Sequence, residues 1–185
     1  MKKHFAGLTE AIAENKLVIL CRKSIDDDRL HGYVVGLSDT WVLLHFVESS
    51  MLMLDGYKAV RLGDVSHFSV DDTFIAEYMR LRGIQSKALP DVDVSNLSAL
   101  LSGVSASFPL FMIERERVEP GIGIVGQIEK MNGRKLWINK FSAKAKWIGT
   151  EKFKLKDITA IDFGDHYHEA LAFMDARQEK TENDQ

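Results

Sequence analysis

VRLGDVSHFSVDDTFIAEYM, from Val60 to Met79, reads onto FKLKDITAIDFGDHYHEALAF, from Phe153 to Phe173. Val60 meets Phe153, Leu62 meets Leu155, Asp64 meets Asp157 and Val65 meets Ile158. Phe68 then meets Ile161, Val70 meets Phe163 and Phe74 meets Tyr167. Upstream, with small shifts, GYVVGLSDTWVLL (Gly32 to Leu44) corresponds to GIVGQIEKMNGRKLWI (Gly123 to Ile138), whose hairpin tip is longer. VILCRK (Val18 to Lys23) corresponds to FMIERE (Phe111 to Glu116). Matching order over most of both halves marks an internal duplication, and a repeat decides the fold before any single motif does.

Each copy carries the same element signals. Phe5, Leu8 and Ile12 share one helical face, as do Leu97, Leu100, Leu101 and Val104, with Ser95 or Asn96 as cap. Strands rich in β-branched and aromatic residues follow at Leu17–Lys23, Tyr33–Leu37, Trp41–Val47, Tyr57–Leu62 and Ser66–Val70. The second set runs over Leu110–Arg117, Ile122–Ile128, Lys135–Phe141, Phe153–Leu155 and Ala160–Phe163, with Asn132-Gly133 at a hairpin tip. Asp71 or Asp72 caps a closing helix that ends at Gly83, and Asp165 opens its counterpart. The predicted organisation is a first repeat over 1–83, a linker over 84–94 containing Pro90, a second repeat over 95–176 and a polar tail over 177–185. Leu43 or Leu44, Val60, Leu62, Phe68, Leu155, Ile161 and Phe163 are the expected core.

A helix followed by five short, bent strands resembles the Sm-like (SH3-like) small β-barrel. Gly32-x-Val34-x-x-x-x-Asp39-x-x-Val42-x-Leu44 resembles the first Sm motif with one extra residue, and Leu54-Asp55-Gly56-Tyr57-x-x-Val60-x-Leu62 resembles the second. In the second copy Trp147-Ile148-Gly149, Phe153 and Leu155 are similar to the latter. The resemblance implies a mainly β fold of two tandem five-stranded barrels, each with an N-terminal and a closing helix. It also implies binding of uridine- or adenine-rich RNA by rings. The family's RNA loops use an asparagine in the first motif and commonly an arginine before the glycine of the second. Trp41, Val42 and Asp55 stand there instead. The Asp55-Gly56-Tyr57-x-x-x-Arg61-Leu62-x-Asp64-Val65 pattern also resembles an uncharacterised bacterial family, which supplies no function.

Composition excludes several classes. With 185 residues, 45% apolar and 28% charged, the chain has the mix of a globular protein, and its formal net charge of -3 sets up no global field for a polyanion. Cys21 is the only cysteine, so no disulfide framework forms within the chain. Glu10 and Glu14 interrupt what a secretory signal would need to keep apolar, and no run approaches the roughly 20 residues of a membrane helix. The expectation is a cytoplasmic protein with no membrane partner.

The candidate sites have bland alternatives. Asp165-His166-Tyr167-His168-Glu169 offers metal-ligand types, but helix positions two apart diverge, and solvent-facing histidines at a cap are expected. Asp64 and Asp157 read as turn residues, Cys21 as a core thiol and Asp26-Asp27-Asp28 as a solvated loop. GIGIVG lacks dinucleotide-fingerprint spacing, and no nucleophile elbow or phosphate loop is present. No catalytic residue, cofactor or metal is assigned, and an enzyme is not expected.

Between Gln127 and Lys156, nine lysine or arginine side chains face two glutamates, a net of +7, interleaved with Trp137, Phe141, Trp147 and Phe153. Lysines beside aromatics are the ingredients of single-strand binding, with Lys140, Lys144, Lys146, Trp147, Lys152 and Lys154 as the candidate binding residues. The alternation in KFKLKD equally describes a solvated face. The expected role is a non-enzymatic binding or adaptor protein with a protein partner, its two repeats pairing within the chain. Single-stranded RNA or DNA binding through the second repeat is the alternative.

Overall fold

The computed structural model describes residues 2–86 and 92–183, with side chains over 5–86 and 92–178. Part of the expected linker, including Pro90, and the end of the polar tail lie outside the described residues. The chain divides into two compact units, 1–100 and 101–185. The described structure is mainly β, with antiparallel strand pairs and four α-helices.

In the first unit, helix α1 (Lys2–Ala13) precedes strands β1 (Leu17–Cys21), β2 (Arg29–Leu37), β3 (Trp41–Glu48), β4 (Met53–Arg61) and β5 (His67–Val70), and helix α2 (Phe74–Leu81) closes it. Helix α3 (Leu97–Ser107) spans the boundary. The second unit continues with β6 (Phe111–Glu114), β7 (Gly123–Asn132), β8 (Lys135–Phe141), β9 (Trp147–Lys154), β10 (Ala160–Phe163) and α4 (His166–Asn183). The strand orders correspond: β5-β1-β2-β3-β4 in one unit and β10-β6-β7-β8-β9 in the other. No pairing among the described residues joins β4 to β5 or β9 to β10, so neither five-stranded sheet is closed on itself.

The duplication extends to hydrogen-bond register. Val18 pairs with Gly32 and Val70, and Phe111 with Gly126 and Phe163. Bulges fall between Val34 and Gly36 in β2, and between Ile128 and Lys130 in β7. This register equates Gly32 with Gly126 rather than with Gly123, a shift of the upstream sequence alignment. The physical reason is close approach. A Cβ on Gly32 would lie 2.8 Å from the His45 carbonyl oxygen, and one on Gly126 only 2.1 Å from that of Asn139. At each of these places the backbone of the third strand comes too close for a side chain.

Leu62 and Leu155, expected at strand ends, begin the 3-10 turns Leu62–Asp64 and Leu155–Asp157. Both turns are tied to the preceding hairpin, Leu62 N–H donating to Thr40 O at 2.9 Å and Leu155 N–H to Arg134 O at 3.0 Å. Burial runs continuously along most of β1 and β3, where Val42, Leu43 and Leu44 are all buried, so both faces of the first sheet are covered there. In β8, by contrast, Leu136 and Ile138 are buried and Lys135 is exposed. Leu43, Leu44, Val60, Leu62, Leu155, Ile161 and Phe163 are buried, whereas Phe68 is half-buried on β5 against Gly7 of α1. Leu8 and Ala11 form the buried stripe of α1, with Phe5 and Ile12 at its margins. No helix of the described residues is long and apolar enough to cross a membrane.

Candidate functional site

β7, β8 and β9 place their side chains alternately on two faces. Leu136, Ile138 and Phe153 point to the buried side. On the other side the register sets Lys130 opposite Trp137 and Trp137 opposite Lys152, a row running across three strands. The next row is Asn132, Lys135 and Lys154. Lys130, Lys135, Lys152 and Lys154 are exposed, and the Trp137 indole between them is half-buried with Lys130 Nζ 5.5 Å from its ring centroid. Beyond Lys135, a groove of about 570 Å³ is lined by Gly133, Arg134, Lys135, Lys154, Leu155 and Lys156.

Of the six expected binding residues, only Lys152 and Lys154 lie on this face. Lys140 alternates to the opposite side and pairs with Glu151, Nζ to Oε2 at 2.6 Å. Lys144 and Lys146 sit in the turn after β8, which Ser142 closes by accepting from Lys146 N–H at 3.2 Å and donating to Lys146 O at 3.0 Å. Trp147 is half-buried. Its Nε1 donates to Asp175 at 3.0 Å and its ring packs edge-on to Phe141, centroids 4.7 Å apart. Trp137 is the indole that strand register sets between exposed lysines, opposite Lys130 on one side and Lys152 on the other. The acid beside this face, Glu129 in the β7 bulge, accepts from Thr150 Oγ1.

His31 and His168 are each buried against a carboxylate. His168 is buried, contrary to the expected solvent-facing cap. Its N–H donates to Asp165 Oδ1 at 2.8 Å and its Nδ1 lies 2.6 Å from Asp165 Oδ2. Register equates His168 with Ile75 of α2, a core position, which explains why the side chain turns inward. His166 is exposed. In the first unit, His31 Nδ1 and Asp71 Oδ2 are 2.7 Å apart and both residues are buried. Asp71 also accepts from Thr73 N–H, and Thr73, not an aspartate, caps α2 by accepting from Ile75 N–H. Burial pushes the Asp71 carboxyl up, but hydrogen bonds from Thr73 and His31 outweigh it and hold the group below its ordinary value. Asp165 is depressed in the same way, its burial overcome by the His168 ring and by backbone N–H groups.

Asp26 is not merely solvated, since Arg22 Nη2 pairs with it at 2.8 Å, and Arg115 pairs with Glu119 at the matching place in the second unit. Cys21 is half-buried at the rim of a groove with Lys23, Arg29, Ser66 and His67. Among the described residues, no three His, Cys, Asp or Glu side chains gather as a metal site.

The closing helices share a feature that sequence alone concealed. Ile75 and Met79 are the buried side of α2, whereas Phe74 and Leu81 are each 68% exposed. At the matching places of α4, Tyr167 is 51% and Met174 42% exposed. No family model, no curated protein and no solved structure matches this chain.

Proposed function

We propose that the chain is a non-enzymatic adaptor that binds a protein partner through the outer stripe of its closing helices. The observation that carries this reading is the repeated pair: an aromatic residue and an aliphatic one, seven positions apart, exposed in α2 as Phe74 and Leu81 and in α4 as Tyr167 and Met174. Residues at that spacing stand on one helical stripe, two turns apart. Single exposed apolar residues need no explanation, but the same pair in two diverged repeats does. The fitting partner is a protein with an apolar groove, since an amphipathic helix docks by anchors at such spacings.

In the same reading each unit is akin to the Sm-like small barrels. The helix and five-strand order, repeated with the same bulge in the second strand, supports that likeness. The two buried acid–histidine pairs are engaged within the fold, His31 of β2 with Asp71 ahead of α2, and His168 with Asp165 at the start of α4.

Affinity purification with tagged wild type, Phe74→Ser/Leu81→Ser and Tyr167→Ser/Met174→Ser tests the proposal. A partner retained by the wild type and lost from either variant, with thermal stability unchanged, is the expected result. Equal retention by all three chains would overturn it. Concentration-dependent self-association abolished by the same changes would make the occupant a second copy of this chain.

A further inference from the structure

One sheet face has opposite fates in the two units. In the first, Gly36, Trp41, Leu43 and Ala59 share a side of β2, β3 and β4, and Trp41, Leu43 and Ala59 are buried. Val94, just before α3, lies on it: a Cβ on Gly36 would stand 3.0 Å from Val94 Cγ1. The matching positions of the second unit are Lys130, Lys135, Trp137 and Lys152. There the register is kept, the apolar cover is exchanged for lysines, and the lysines are exposed. At the centre of this cationic face stands the half-buried Trp137 indole, Lys130 Nζ 5.5 Å from its ring centroid.

We propose that this face of the second unit binds single-stranded nucleic acid. Neighbouring strands lie about 4.8 Å apart, so Lys130 and Lys152 flank Trp137 at close quarters. A base stacked on the indole thus brings its phosphates within reach of ammonium groups on both sides, the arrangement that binds single strands without reading sequence. Lys135, Lys154 and Arg134 extend the cationic track toward the groove beside Leu155, giving the strand a path along β8 and β9. Glu151 is held by Lys140 on the opposite face and does not oppose it. The face and the helix stripes are made of different residues.

The test is fluorescence anisotropy of the full chain with a labelled oligothymidine of about 15 nucleotides, over a range of salt. Binding should weaken steeply as salt rises, because neutralised phosphates release counterions. Trp137→Ala should weaken it roughly 5- to 150-fold, as expected when one base no longer stacks. Lys152→Gln/Lys154→Gln should reduce the log–log salt slope by about one for each phosphate that is no longer neutralised, and keeps the proposal testable if Trp137→Ala fails to fold. Absence of salt-dependent binding at low ionic strength would overturn the proposal. So would insensitivity to both variants, or equal competition by inorganic polyphosphate or polyglutamate, which would mark a surface for acidic polymers or acidic proteins instead.

Discussion

Ser66 and Thr159 perform the same task at the same place in the two repeats. The Ser66 hydroxyl donates to Cys21 O at 3.0 Å and accepts from Lys23 N–H at 3.1 Å. That of Thr159 donates to Glu114 O and accepts from Glu116 N–H, each at 3.1 Å. The first strand of each unit is thereby pinned to the entry of the fifth. Thr159 is buried at 2% exposure, so removing its hydroxyl leaves Glu116 N–H and Glu114 O without that partner. Thr159→Val should cost about 1–3 kcal/mol in urea unfolding. The exposed Ser66→Ala change should cost less, because water replaces the missing hydroxyl there.

The closest backbone approach supplies a second expectation. Gly126→Ala should destabilise the protein by about 1–3 kcal/mol or more, since its Cβ would meet a carbonyl oxygen that cannot rotate away. Gly133→Ala places no atom against a neighbour, and acts only through its φ of +56°. It should cost less than Gly126→Ala when both are measured by thermal unfolding.

Core packing in the second unit is tested by Leu155→Ala. The side chain is buried at the start of the 3-10 turn, and its truncation should cost about 2–5 kcal/mol. A loss under about 1 kcal/mol would be a surface effect and would contradict this placement.

Much of this arrangement was legible in the residues. The Leu-x-Asp signatures of both copies and the strands around them could be aligned because their apolar positions repeat without insertion. The upstream glycines could not. Gly32, Gly36, Gly121, Gly123 and Gly126 offer several alignments, and only backbone proximity distinguishes Gly126. The basic face was visible as composition but not as geometry. Leu136-Trp137-Ile138 is a continuous apolar run, so alternation alone does not show that Trp137 faces out while its neighbours face in. The surroundings of Trp147 were hidden for a related reason: it follows the turn among lysines, yet α4, distant in sequence, supplies Asp175 to its indole. The exposed stripes of α2 and α4 were hidden because apolar helix residues ordinarily read as core.

The acid–histidine pairs set the pH dependence. The Asp71 and Asp165 carboxyls are depressed, so each stabilises the fold above its unfolded value of about 3.9. That contribution is lost as pH falls through the lower folded values. Urea unfolding between about pH 6 and pH 2.5 should therefore show stability falling at the acid end. Asp71→Asn should be less stable at neutral pH and should show a shallower acid loss. An unchanged acid profile would contradict the network.

The unlike fates of one duplicated sheet face, covered in the first unit and open and cationic in the second, are tested most directly by photo-crosslinking. A 4-thiothymidine oligonucleotide irradiated with the full chain at low salt, and mapped by mass spectrometry, should mark the peptides holding Trp137 and Lys152, and leave that of Trp41 unmarked. Crosslinks concentrated on the first unit, or none above a no-irradiation control, would contradict the account.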